Sequence, residues 1–278
     1  MIKSLLVAVD SSAHARAALE HAVELAKVYQ ARLTGLYVLD VRYLEMPPYI
    51  DYSYAFEAVP PIMAPVDVME KFKIKSERIL NDVRDYAEKA GLQVEVRTEE
   101  GVPGQVVSDI GDTHDLVVLG KRGEHAKWGR DLLGSTAEAV ARRSASPVLL
   151  TEETVRPIKK ALVLYDGSHP AKRCLKFACD LGVHAGLGIK VLTVDDDEQR
   201  GWETAEEAKA YVEPLDVAAT YSVLPGKPAK ATAASLEEEP ADLVTVGMRG
   251  HSSLRYLFLG RTAELVMRSI DLPVLMVP

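Results

Sequence analysis

Two cysteines in 278 residues are too few for a disulfide framework, and Cys174 and Cys179, five apart with no CxxC and no second cluster, do not make a zinc site. They read as small core residues on a helix. Positive charge is also scarce. The formal balance of -8 argues against a general nucleic-acid or anionic-membrane binder, although local basic clusters can still hold a phosphate. No apolar run approaches the ~20 residues needed to span a bilayer, and the stretch from Met1 to Asp10 lacks the long apolar segment of a signal peptide. No membrane contact and a cytoplasmic location are therefore expected. Also missing are the GxxxxGK[ST] loop of kinase-type NTPases, the GxGxxG turn of nicotinamide dehydrogenases, and any nucleophile, base and orienting acid at a readable spacing.

What the chain does contain is a repeat. At 278 residues it exceeds the usual domain size, and two similar halves account for it. The segment "KSLLVAVDSSAHARAALEHAVELA" is an apolar strand, an Asp-Ser-Ser turn and a helix with Ala17, Ala18, His21, Ala22 and Leu25 on one face. Later, "KKALVLYDGSHPAKRCLKFACDLG" repeats that order and aligns Asp166 with Asp10. The second strands "LTGLYVLD" and "IKVLTVDD" align Val38 with Val194, and "TAEAVARRSASPVLL" aligns with "TAELVMRSIDLPVLM". Each half then reads strand, helix, strand, helix, strand, helix, strand, glycine loop, helix, strand. Such strands, mostly apolar with little alternation, predict two tandem, doubly wound, parallel five-stranded sheets of Rossmann-like α/β type.

The expected domains are 1–152 and 157–278, divided within "TEETVRPIKK" at 151 to 160. Asp40 to Gly101 spans 61 positions against 30 from Asp196 to Gly226, so the first half carries about 31 extra residues between its second and third strands. Part is a helix expected over Asp67 to Ala90. The rest is the long Tyr- and Pro-rich loop 41–66, which is either a lid, a contact surface or a loop packed on its own domain.

Two stretches carry the candidate chemistry, "LGKRGEHAKWGRDLLGST" and "VGMRGHSSLRYLFLGRT". Each follows a predicted strand at the carboxyl edge of its sheet, where open α/β folds bind ligands. Backbone bare of side chains can approach a ligand closely and turn N–H groups toward it, and the next helix adds the positive end of its dipole, so the favoured guest is a phosphate. Gly120, Gly123 and Gly134 line one cradle, and Gly247, Gly250 and Gly260 the other. Ser135, Thr136 and Thr262 supply hydroxyls, and Arg122 and Arg249 supply charge. Glycines that merely punctuate a turn would leave the same letters. Asp10 and Asp166 can cap the following helix, or accept from ribose hydroxyls if the first and fourth strands are neighbours. Val38 and Val194 could then present backbone to a base.

With its two halves and paired glycine loops, the sequence resembles the ATP-binding universal stress proteins, whose adenine nucleotide hydrolase-like signature is Gly, two residues, Gly, nine residues, Gly and Ser or Thr. The resemblance implies ATP, with Mg, as cofactor. It implies that first-strand aspartates hold ribose, that backbone near the first two strand ends reads adenine, and that the glycine loops hold phosphates. The implied residues are Val9, Asp10, Val38, Gly120, Arg122, Gly123, Gly134, Ser135 and Thr136, and in the second half Tyr165, Asp166, Val194, Gly247, Arg249, Gly250, Gly260, Arg261 and Thr262. The first loop has ten residues between Gly123 and Gly134, one more than the signature, and the second has Arg261 where the small hydroxyl belongs.

Other polar residues carry weaker signals. His125 and His251, each after the second glycine of its loop, either touch phosphate or face solvent, and Trp128 is either a packing anchor or near the ligand. His14, His21, His169 and His184 read as core or surface filling, and "LEEEP" at 236 to 240 as a solvated helix end. The resemblance implies a nucleotide-dependent regulatory protein of stress tolerance without strong catalysis; a slow Mg-dependent ATP hydrolase or an interaction module with vestigial pockets is the alternative. It also implies that the halves pair through their last strands, "PVLLT" and "PVLMV", with further homodimerisation and any protein partner left open.

Overall fold

The structure is a computed structural model that describes residues 1–43, 65–124, 133–248 and 259–278. In the first half, β1 (Ser4–Ala8), α1 (Ala13–Tyr29) and β2 (Arg32–Asp40) are followed by a single 3-10 turn over Val41–Tyr43. Then come α2 (Pro65–Lys89), β3 (Val94–Gly101), α3 (Pro103–Gly111), β4 (Leu116–Gly120), α4 (Ser135–Arg143) and β5 (Val148–Thr151). The second half runs β6 (Lys160–Leu164), α5 (His169–Ala185), β7 (Gly188–Val194), α6 (Glu198–Val212), β8 (Ala219–Leu224), α7 (Pro228–Glu238), β9 (Leu243–Gly247), α8 (Arg261–Ser269) and β10 (Val274–Val277). Helix α2 begins at Pro65, two residues ahead of the sequence expectation, with proline near its start where a missing N–H costs nothing. Of the segment 41–66, residues 44–64 lie outside the described ones.

The strands form one ten-stranded sheet in the order β3-β2-β1-β4-β5-β10-β9-β6-β7-β8. Within each half every pairing is parallel, and β1 and β4 are direct neighbours, as are β6 and β9. Each half is therefore doubly wound, with its reversal between its first and fourth strands. The halves meet where β5 pairs antiparallel with β10, Leu149 opposite Leu275. Strands β1, β4, β5, β6, β9 and β10 are buried almost throughout because helices cover both faces. The two edge strands differ from these: β8 has no fully buried residue, and in β3, "VEVRTEEG", the glutamates and arginine stay exposed, which discourages further strand pairing.

One apolar cluster fills each face of the sheet, and both extend through the two halves. The first packs α1, α2, α5 and α6, with Leu5, Val7, Val163 and Leu275 beneath them. Cys174 and Cys179 lie in it, fully buried, and burial pushes the Cys179 thiol up to about 11. The second packs the face of Leu6, Val117, Leu150, Val244 and Met276 against Val107 of α3, Val140 of α4, Ala231 of α7 and Val266 of α8. His14 and His21 are also buried, on the inner side of α1.

Candidate functional site

The turn after β1 is built by its own polar side chains. Asp10 Oδ1 accepts the Ser12 N–H at 2.8 Å, and Ser12 Oγ accepts the Ala15 N–H at 3.0 Å, which makes Ser12 the cap of α1. In the second half Asp166 and Ser168 repeat both bonds, at 3.0 and 3.3 Å. The capping role considered for the two aspartates thus belongs to the serines two residues on, and the aspartates shape the turn. Asp10 Oδ2 accepts the Glu124 N–H at 3.0 Å, so the turn after β1 touches the loop after β4 at the reversal point. Burial raises the Asp10 carboxyl above its usual range, Glu124 nearby adds to this, and the hydrogen bonds from Ser12 and the Glu124 amide oppose it.

The glycine loop closes at a narrow neck. Lys121 N–H donates to Thr151 O at 2.9 Å, and Gly134 N–H donates to Lys121 O at 2.8 Å. Helix α4 starts immediately afterwards, with Gly134 as its cap and no side-chain acceptor for its first N–H groups. Gly134, Ser135, Thr136 and Ala137 at this start all line one common space, where an anion site can form. The second half repeats the neck through Met248 N–H to Val277 O at 2.8 Å and Gly260 N–H to Met248 O at 2.7 Å, with Gly260 capping α8. There Gly247 ends β9, Val194 ends β7 half-buried, Arg261 is exposed in the first position of α8, and Thr262 is half-buried. Arg249 and Gly250, together with His125, His251 and Trp128, lie outside the described residues.

The glycines have different reasons to be glycine. A Cβ on Gly120 would lie 2.5 Å from His14 Cβ and 2.9 Å from its carbonyl carbon, and one on Gly247 would lie 2.8 Å from Pro170 Cβ. Both let the strand end pass against the first helix of their half, a packing role. A Cβ on Gly123 would instead lie 2.7 Å from Asp10 Oδ2, so this glycine makes room for the carboxylate.

Around these elements lies a cavity of about 380 Å³, within the range of small-molecule sites. Val9, Asp10, Val38, Gly120, Arg122, Gly123, Gly134, Ser135 and Thr136 all line it. Val9 N–H is already donated to Leu36 O at 2.9 Å, which leaves its carbonyl and side chain for the cavity. Several further lining residues escaped the sequence reading, among them Tyr37 and Asp40 in β2, Arg42 in the turn after it, Phe72 and Lys75 on α2, and Glu124 beside Gly123. Those on α2 come from an element far from the glycine loop in the chain, and only the amphipathic pattern of α2 hinted that Phe72 faces inward. Arg42 is held by Asp40 through Nε at 2.8 Å and Nη2 at 2.5 Å, and Lys75 forms an ion pair with Glu124.

The second half differs at the equivalent turn. Tyr165 stands where the first half has Val9, and burial, then Glu207 beside it, pushes its phenol above the usual range. The Glu207 carboxylate lies 3.5 Å from where a Cβ on Gly167 would be and pairs with Lys172 at 2.5 Å. An acidic side chain therefore stands over the turn of Asp166, which is itself exposed. In the "LEEEP" run Glu237, Glu238 and Pro240 are exposed at the end of α7, as a solvated end requires, while Glu239 is half-buried and pairs with Lys160 and with Lys190, whose side chain is buried inside β7.

Among the described residues no group of three His, Cys, Asp or Glu side chains could hold a metal ion, and no helix is long and apolar enough to cross a membrane. The model of the universal stress protein family matches residues 1–152 and again 157–278. A universal stress protein of Synechocystis sp. is 27% identical over 284 aligned residues, with 99% of each chain covered. A putative universal stress protein of Staphylococcus saprophyticus is 33% identical over 159 residues, covering 54% of this chain and 85% of that one. Among solved structures, a universal stress protein from Archaeoglobus fulgidus aligns with a TM-score of 0.78 at 25% identity, covering 99% of this chain and 97% of that one.

Proposed function

This chain belongs to the universal stress protein family, with one family unit in each half, and on that premise we propose that its first half binds ATP and that the protein acts as a nucleotide-dependent regulator. The observation that carries the reading is the cavity at the reversal point of the first half. Every residue expected there from sequence lines it, and the uncapped start of α4 opens onto it. The parts suit a nucleotide. Ser135, Thr136 and the first amides of α4 would hold phosphate oxygens, Arg122 would add charge, and Asp10 would accept from ribose hydroxyls. Val38 and the carbonyl of Val9 would flank the base. Any Mg would rest mainly on the phosphates, as the described side chains offer no cluster of their own.

The regulatory reading is preferred over a slow hydrolase because no described residue of the cavity is placed as a base for water. The carboxylates there have other engagements: Asp10 is held by two backbone N–H groups, Asp40 by Arg42 and Glu124 by Lys75. The second half is the weaker candidate for ATP, since Glu207 and Tyr165 crowd its aspartate turn and Arg261 replaces the small hydroxyl. Calorimetric titration of the nucleotide-free chain with ATP tests the reading. Saturable binding with a first site near one per chain is expected, and no saturable binding would sink it.

A further inference from the structure

We propose that Lys75, carried by α2, is a phosphate-binding residue of the first-half pocket and that Glu124 holds it in reserve, which makes the pocket selective for nucleoside polyphosphates. The inference rests on the nucleotide reading above and deepens it. Lys75 and Glu124 both line the cavity, and their side chains form an ion pair while only 30% and 22% exposed. A pair this sheltered is screened less by water and salt than a surface pair, so an anion that takes the place of Glu124 meets a lightly screened ammonium. Phe72, one turn earlier on α2 and 6% exposed, anchors that face of the helix against the pocket and keeps Lys75 within reach.

Glu124 is the residue next to Gly123 in the glycine loop, so its carboxylate sits at the edge of the cradle in which a phosphate would lie. A phosphate chain entering the cradle presents a competing anion of higher charge to the same ammonium. The flexible four-carbon stem lets Lys75 exchange one acceptor for the other without moving α2. Arg42 is less available, because Asp40 grips its guanidinium through two nitrogens within the same strand end. Arg122 has no carboxylate partner among the described residues and needs no exchange. Lys75 is therefore the cation whose release requires a ligand that carries enough negative charge to replace Glu124. Glu124 also donates its N–H to Asp10 Oδ2, so the residue that gives up Lys75 is tied to the acceptor proposed for ribose.

Titration of the full chain with adenosine, AMP, ADP and ATP reads this directly, with the melting temperature of each variant as a check on folding. Lys75→Met, which keeps the stem and removes the charge, is expected to weaken ATP binding about tenfold, AMP binding less and adenosine binding not at all. Glu124→Gln is expected to tighten ATP severalfold and leave adenosine unchanged. Lys75→Arg should restore most of the preference for ATP. Unchanged ATP affinity in Lys75→Met, or an equal loss for adenosine and ATP, would overturn the proposal while leaving the nucleotide reading intact. No binding of any of the four by the unaltered chain would overturn both.

Discussion

Gly120 and Gly123 stand three residues apart in one motif, yet their substitution should have opposite signatures. A larger residue at Gly120 meets the His14 backbone, which cannot move without α1, so Gly120→Val is expected to destabilise the fold by about 1–3 kcal/mol, seen as a lower melting temperature. At Gly123 the obstacle is the end of the Asp10 side chain, which can swing away. Gly123→Val should therefore keep the melting temperature within a few degrees and lower ATP affinity about tenfold or more; loss of stability without loss of binding would contradict the division of labour. The sequence made these glycines visible but not their reasons, because a Cβ clash depends on a helix that arrives from elsewhere in the chain. Buried lysines were hidden in the same way. Lys190 sits 3% exposed in the middle of "GIKVLTV", donating to Ser235 O at 3.0 Å and pairing with Glu239, and only its intrusion into an apolar run marked it.

Among the elements, the strands were the most legible, since period and length distinguish a covered parallel strand from its surroundings, and the internal repeat set the order of the sheet. The helix edges and the far wall of the cavity were not, because α2 reaches the site only through tertiary packing. The contact between α3 and α4 shows how an element away from the ligand controls it. A Cβ on Gly104 of α3 would lie 2.4 Å from Ala139 Cβ of α4, so the two helices touch at closest approach. Gly104→Leu would push α4 outward, and α4 begins with the serine and threonine that line the cavity. Both stability and ATP affinity should fall together, by about 1–3 kcal/mol in stability on chemical denaturation. A stable variant with unaltered binding would show that α4 can shift without disturbing its first turn.

Over the whole molecule, each apolar cluster runs across the junction of β5 and β10, so the two halves are expected to unfold as one cooperative body. Calorimetry should record a single unfolding transition, and two separated transitions would refute this. Charge pairs close the same junction: Arg142 bridges Glu138 at 2.9 Å and Glu264 at 3.4 Å, while Arg268 reaches Glu138 at 2.8 Å and Glu264 at 3.5 Å. All four side chains are about one-third exposed, so the network adds only modestly to what the strands already provide. Lys121 matters more. Its side chain is almost fully buried, where burial lowers its pKa against the pull of Glu152, and its Nζ donates to Ile270 O at 2.5 Å and Leu272 O at 2.9 Å. Because β5 and β10 run in opposite directions, the carboxyl edge of one half lies beside the amino edge of the other. The two glycine loops consequently open at opposite rims of the sheet, and no single small ligand can bridge them. What the first loop can reach is the root of the last strand of its twin, through one lysine for which the second loop offers only Met248 in return. Whatever coupling that lysine carries between the rims acts equally in both directions, although only one of the two loops supplies the contact.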